Sequence, residues 1–184
     1  MSKDGKPLTA IGLMIGAIVV VVIVVLAVML SRPAHHGFVP EEERDLAADF
    51  TLVDTEGSRF TLSDHRGSVV LLDFMATWCG PCGGQIDEIV SIYPSYASRG
   101  VQFLSIDVDA GEGVEQLRAY GASHGAHWRF ALDTAGVSAM SGYDVVSIPT
   151  IVIIDQEGAI AYRSVGITSG SKLAQVIDSL LLEE

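Results

Sequence analysis

The chain has 184 residues, 49% of them hydrophobic, with 11 Lys and Arg against 23 Asp and Glu and a formal charge of −12 at neutral pH. That length suits one domain of ordinary size plus an appendage. After position 40 the balance is 22 acids to 8 bases, or −14, which leaves no basic patch for nucleic acid. Solubility and a high-salt habitat would each account for the acidity.

Residues 1–7 are a short tail. From Leu8 to Leu30 no residue is charged, and Ile, Val, Leu, Met and Ala dominate. As a helix at about 1.5 Å per residue this run spans about 35 Å, enough to cross a bilayer. It exceeds the roughly 7–15 apolar residues of a signal peptide, no small-x-small site follows, and no cysteine offers lipid attachment. The expectation is therefore an uncleaved single-pass transmembrane anchor in the cytoplasmic membrane. Lys3 and Lys6 ahead of it outnumber Arg32 just behind it, which favours a cytoplasmic N-terminus and an extracytoplasmic C-terminal domain. Residues 31–48, with Pro33 and Pro40, read as a polar, irregular tether.

The domain is expected over residues 49–184. Phe50–Val53 and Arg59–Leu62 flank the turn-rich Asp54–Ser58 and predict a hairpin. Ser68–Asp73 reads as a strand buried on both faces. Ile86, Ile89, Val90 and Tyr93 recur at helical spacing, with Pro94 expected to kink that helix and Gly100 to end it. Val101–Ile106 is the next strand, with Asp107 and Asp109 at its carboxyl end. A helix over about Glu112–Ser123, a short strand Arg129–Leu132 and a helical turn or two within Ala135–Ser141 follow. A second hairpin joins Thr150–Asp155 to Ala159–Ser164, and Ser169 caps a last amphipathic helix through Leu173, Val176, Ile177 and Leu180. Strands alternating with helices, closed by a hairpin and a helix, predict an α/β fold with a mixed sheet and helices on both faces.

The only two cysteines stand in Trp78-Cys79-Gly80-Pro81-Cys82, directly after the first buried strand. A strand thus delivers a thiol to the first turn of a helix, where unpaired N–H groups and the helix dipole stabilise a thiolate. Cys79 is expected to attack a disulfide, and Cys82, a turn further in, to release the captured partner. The pair is too close in sequence to staple distant parts of a fold. Zinc needs further ligands, and His35, His36, His65, His124 and His127 are scattered. No metal site is therefore expected. Asp107 and Asp109 are read as strand-end residues facing water, and His124 and His127 as surface loop residues.

From about Asp49 to Leu182 the chain resembles the thioredoxin superfamily, and within it the membrane-tethered TlpA/ResA-like thiol–disulfide oxidoreductases. The resemblance is carried by Asp49-Phe50-Thr51-Leu52, Gly57, Leu62-Ser63-Asp64, Arg66-Gly67, Phe74 through Cys82, Ser147-Ile148-Pro149-Thr150, Asp155 through Gly158, and Gly166. It implies that Pro149 forms a cis peptide bond with Ile148 facing the cysteines, an ordinary trans proline opening a strand being the alternative. It also implies a substrate groove bounded by Trp78, Gly80, Pro81, Ile148 and Pro149, although Trp78 could instead pack in the core. Asp73 matches thioredoxin's buried aspartate, where the tethered relatives commonly have asparagine. It is expected to be the acid/base group, with a pKa raised by burial; satisfaction by backbone at the strand end is the alternative. Gln85 stands where those relatives often carry a glutamate, and Met75 where an aromatic is usual, so both are candidates for tuning the site.

The function implied is reduction of disulfides outside the cytoplasm, with electrons from a transmembrane thiol carrier of the CcdA/DsbD kind. Apocytochrome c and metal-site assembly proteins are the substrates the resemblance suggests. No cofactor is implied beyond the Cys79–Cys82 disulfide. Two rivals stay open: a thiol oxidase or isomerase, differing in potential, and a copper-delivery module using the thiols as ligands. Peroxidase chemistry is not expected, because no threonine-cysteine-arginine constellation is visible.

Overall fold

A computed structural model of the chain describes residues 18–22, 37–109, 111–140 and 143–182. Residues 1–34 and 35–184 form separate units. In the first, residues 18–22 are helical; among the described residues no helix is long and apolar enough to cross a membrane. The rest of the expected anchor Leu8–Leu30, the tail, and tether residues 31–36 with His35 and His36 lie outside the described residues.

The second unit holds strands β1 (Gly37–Phe38), β2 (Thr51–Val53), β3 (Arg59–Thr61), β4 (Val70–Met75), β5 (Gln102–Asp107), β6 (Arg129–Leu132), β7 (Thr150–Ile154) and β8 (Ile160–Val165). Its helices are α1 (Gly80–Ala97), α2 (Val114–Ser123) and α3 (Gly170–Leu180). Six strands form one sheet in the order β1-β8-β7-β4-β5-β6, and β2 and β3 make a separate hairpin. Strands β4, β5 and β6 run parallel, while β7 is antiparallel to β4 and β8 to β7. The sheet is mixed, as its alternating elements predict.

Every residue of β4 is buried, because both faces of the sheet are covered. Val70, Leu72 and Phe74 meet Phe50, Leu52, Phe60, Leu62, Val137 and Tyr143 on one face. Leu71 meets Ile89 and Ile92 of α1 and Leu173 and Ile177 of α3 on the other. There Met75 packs with Cys82, Ile86, Leu117 of α2 and Phe130 of β6. The expectation of helices on both faces is thus corrected: the three α-helices share one face. The opposite face is covered by the β2–β3 hairpin, 3-10 turns at Leu62–His65 and Val137–Ala139, and Tyr143. The α2–β6 unit lengthens the parallel edge of the sheet without crossing to the other side.

Three boundaries also move. Strand β4 begins two residues later than the run Ser68–Asp73, which puts Asp73 inside the strand, opposite Ser105 and Ile151. Helix α1 continues through Pro94 to Ala97, and Gly100 turns the chain into β5 at φ +89°. Residues 37–47 are not a free tether. Strand β1 pairs with β8, Val39 and Ala47 are buried, and Arg44 forms a buried 3.2 Å ion pair with Asp155. Both sheet edges are therefore occupied: β1 lines β8, while at β6 Asp54 bridges Ala131 and the Thr55 N–H donates to the Phe130 carbonyl at 2.8 Å.

Candidate active site

The parallel β4 ends at Met75, and four residues carry the chain into α1, whose N-cap is Cys79. A tight turn closes there, the Cys79 N–H donating to the Ala76 carbonyl at 3.1 Å. Gly80 and Pro81 then open the helix; proline suits its first turn because the N–H it lacks would have no partner there. Cys79 and Cys82 form a disulfide with Cα atoms 5.3 Å apart. Cys79 is 6% exposed and Cys82 fully buried, so the first sulfur is the one within reach of a partner. In the reduced chain that sulfur lies at the positive end of a helix of 18 residues, where a thiolate is favoured.

A groove of about 690 Å³ opens beside Cys79, lined by Trp78, Gly80, Pro81 and Ile148 together with Val108, Ser138, Val145, Val146 and Ser147. The first four are residues the sequence places there. Trp78 is 67% exposed, so it is a contact surface and not core. The Ile148–Pro149 peptide bond is cis. Pro149 itself is buried, its carbonyl accepting from Gly166 N–H at 2.8 Å. Val108, Ser138 and Val145–Ser147 carry no sequence signal beyond the nearness of Ser147 to the proline.

Asp73 is fully buried, alternating along β4 with Leu71 and Met75 toward the helix-covered face. The Ser105 hydroxyl donates to Asp73 Oδ2 at 2.9 Å, and Trp128 Nε1–H donates to Ser105 Oγ at 3.0 Å. Burial pushes the Asp73 carboxyl up to about 7, against the Ser105 hydrogen bond that would lower it. A side-chain hydroxyl on β5, not strand-end backbone, is thus its partner. Tyr120 of α2 lays its hydroxyl 3.4 Å from where a Cβ on Gly83 would stand. Burial, followed by the charge of Asp73, pushes that phenol up to about 12.

Met75 is fully buried against both cysteines. Gln85 is also buried and spends its amide on one residue. Its Oε1 accepts from Thr168 N–H at 2.7 Å, and its Nε2–H donates to the Thr168 carbonyl at 3.2 Å. It ties the loop before α3 to α1. His127 is exposed, but His124 is half-buried, with Nδ1 3.0 Å from Asp87 Oδ1 and its ring 4.7 Å from that of Tyr120.

The largest departure concerns Asp107 and Asp109. Asp107 is fully buried rather than facing water. Burial and the Glu112 carboxyl beside it hold Asp107 well above the usual carboxylate range. Burial alone would raise Glu112 as well, but the neighbouring Asp107 and the hydrogen bonds from Thr77 bring it below its ordinary value. Asp109 Oδ2 accepts from the Trp78 indole N–H at 2.6 Å. Glu112 accepts from the Thr77 hydroxyl at 2.7 Å and the Thr77 N–H at 3.2 Å, and Gln116 adds a bond to the same hydroxyl.

Residues 44–163 match the AhpC/TSA family. The chain is 30% identical over 134 residues to the thiol-disulfide oxidoreductase ResA of Geobacillus thermodenitrificans (strain NG80-2), covering 73% of this chain and 75% of that protein. It is also 30% identical over 138 residues to the thioredoxin-like protein YneN of Bacillus subtilis (strain 168), covering 74% and 79%. Among solved structures, a thiol:disulfide interchange protein of the thioredoxin family from Chlorobium tepidum TLS is similar, with a TM-score of 0.67. That structure is 25% identical, covering 77% of this chain and 99% of its own.

Proposed function

Because the chain belongs to the AhpC/TSA family and is a thiol–disulfide oxidoreductase on a thioredoxin fold, we propose that it reduces disulfides of proteins outside the cytoplasm. The observation that carries this reading is the asymmetry of the pair: Cys79 at a helix N-terminus beside an open groove, Cys82 bonded to it and buried. The Cys79 thiolate attacks one sulfur of the substrate disulfide, forming a mixed disulfide and expelling the other as thiolate. Cys82 then gives its proton to Asp73 and attacks Cys79 Sγ. That step closes the Cys79–Cys82 disulfide and expels the second substrate thiolate, so one substrate disulfide becomes two thiols as the protein dithiol becomes a disulfide. A carboxyl raised to about 7 is suited to taking and returning that proton near neutrality.

The apolar run Leu8–Leu30 supports a membrane-anchored protein with its catalytic unit on the extracytoplasmic side. There a transmembrane thiol carrier of the CcdA/DsbD kind would return electrons. The similarity to ResA supports apocytochrome c or metal-site assembly proteins as substrates.

Cys82→Ser in the full chain is expected to trap partners on Cys79, identifiable by mass spectrometry. Equilibration with glutathione is expected to give a potential nearer −270 mV, as in thioredoxin, than −120 mV, as in DsbA. A value near the latter would replace the reductant with an oxidant. With Cys82 intact, Asp73→Asn is expected to slow release of the mixed-disulfide partner and flatten its pH dependence around 7; an unchanged profile removes Asp73 from the mechanism.

A further inference from the structure

We propose that Asp109 and Glu112 are positioning residues of the exchange reaction. From the loop between β5 and α2 they grip Trp78 and Thr77, the two residues ahead of Cys79, and so fix where the nucleophile and the indole wall of the groove stand. In the sequence Asp109 reads as a strand-end acid facing water and Glu112 as the start of a helix, and neither touches the reacting sulfurs.

Between the end of β4 and the start of α1 the chain has little of its own to hold it. The Ala76–Cys79 turn supplies one backbone bond, and the Val108 N–H ties Met75 to the neighbouring strand at 2.9 Å. Thr77, between these, has its N–H filled by Glu112 Oε2 and its hydroxyl by Glu112 Oε1. A half-buried backbone N–H needs such a partner, and a carboxylate acceptor makes a hydrogen bond about twice as strong as a neutral one. Trp78 is a sharper case. With 67% of its surface exposed, packing cannot set the ring's orientation, so the 2.6 Å bond to Asp109 does.

The grip on Trp78 is itself braced. Asp109 Oδ1 accepts from Gly111 N–H at 2.8 Å, and Asp109 N–H donates to the buried Asp107 Oδ1 at 2.9 Å. Tyr120 of α2 lies within electrostatic reach of Asp107 and Glu112, as it does of Asp73 and Asp87. The Val108 side chain lines the same groove, so the loop builds one wall directly and another through Trp78. This holds whichever way electrons flow through the cysteines.

The test uses the full chain, with dithiothreitol as electron source and two disulfides of different size, insulin and oxidised glutathione. Asp109→Ala is expected to raise KM for insulin about three- to tenfold while kcat, and all constants for glutathione, stay within about twofold. Asp109→Asn keeps an oxygen that can accept from the indole and is expected to restore most of the loss. In a Trp78→Ala background, Asp109→Ala is expected to add nothing. Glu112→Ala is expected to lower kcat about tenfold for both disulfides, because it loosens the turn that carries Cys79 itself. Glu112→Gln, able to accept one of the two Thr77 bonds, is expected to fall between. The proposal is overturned if Asp109→Asn is as impaired as Asp109→Ala, which would make charge rather than position the cause. It is equally overturned if both alanine variants fold and match the wild type in KM and kcat.

Discussion

Asp73→Asn isolates the cost of holding a carboxylate inside this fold. Asp73 is fully buried and takes one hydrogen bond, from Ser105. Raising its pKa from 3.8 to about 7 corresponds to about 4 kcal/mol, at about 1.4 kcal/mol per pH unit. Below pH 4 the folded and unfolded chains both hold the proton, and the residue is neutral in each. Between about 4 and 7 the unfolded chain releases it while the folded chain keeps it. The folded state then binds more protons, and stability falls as pH rises. Above about 7 both states are ionised and the loss is complete. Asparagine carries no such proton, and its oxygen can still accept from Ser105. Urea unfolding of the oxidised proteins across pH 4.5 to 9 is therefore expected to show Asp73→Asn gaining on the wild type as pH rises. The gain should approach about 4 kcal/mol and level off beyond pH 7. Asp107, also raised by burial, titrates in both proteins and cancels from the difference. A stability difference independent of pH would refute the reasoning, because it would mean that Asp73 ionises in the folded protein as freely as in the unfolded one.

Two further substitutions test packing away from the cysteines. Arg44→Met leaves the buried Asp155 carboxylate without this partner and is expected to cost about 3 kcal/mol in urea melts. Adding Asp155→Asn, which keeps an acceptor for the Ala159 N–H, should recover more than half; no recovery would mean that charge is not what the pair neutralises. Gly170→Ala places a Cβ 2.5 Å from Ser91 Oγ and 2.9 Å from the Glu88 carbonyl, forcing α3 away from α1. A loss of about 2 kcal/mol is expected. Ser91→Ala should relieve it only in part, since the carbonyl stays; full relief would place the clash in the side chain alone.

What was legible in the chain is what periodicity and local motifs encode. The order of strands and helices, the thiols at a strand-to-helix junction, the Ser169 cap (accepting from the Lys172 N–H at 3.3 Å) and the proline motif before β7 all follow from neighbours in sequence. The rest depends on partners far along the chain. Residues 37–47 look like a tether because Pro40 disrupts regular structure and three glutamates are polar, but Arg44 meets an aspartate 111 positions away. Asp107 looks solvated because an acid at a strand end ordinarily is; it is buried because β5 runs in the sheet interior, with Met75 of β4 and Leu132 of β6 on either side. The shared face of the three helices was hidden because alternation of elements specifies a layered fold but not which layer an extra helix joins. Gln85 offered a vacant role near the thiols, and the structure gives it a backbone to hold instead.

The short ribbon at residues 37–38 has a consequence for how copies of the molecule coexist. It and the bridge at Ala131 close off the two rims where the backbone could otherwise recruit a strand from a sister molecule. A protease cut just before Asp45 would bare the hydrogen-bonding groups of Ala161–Arg163, next to the uninterrupted aliphatic run Ile151–Ile154. The trimmed protein would then be prone to fibrous self-association even with both sulfurs intact.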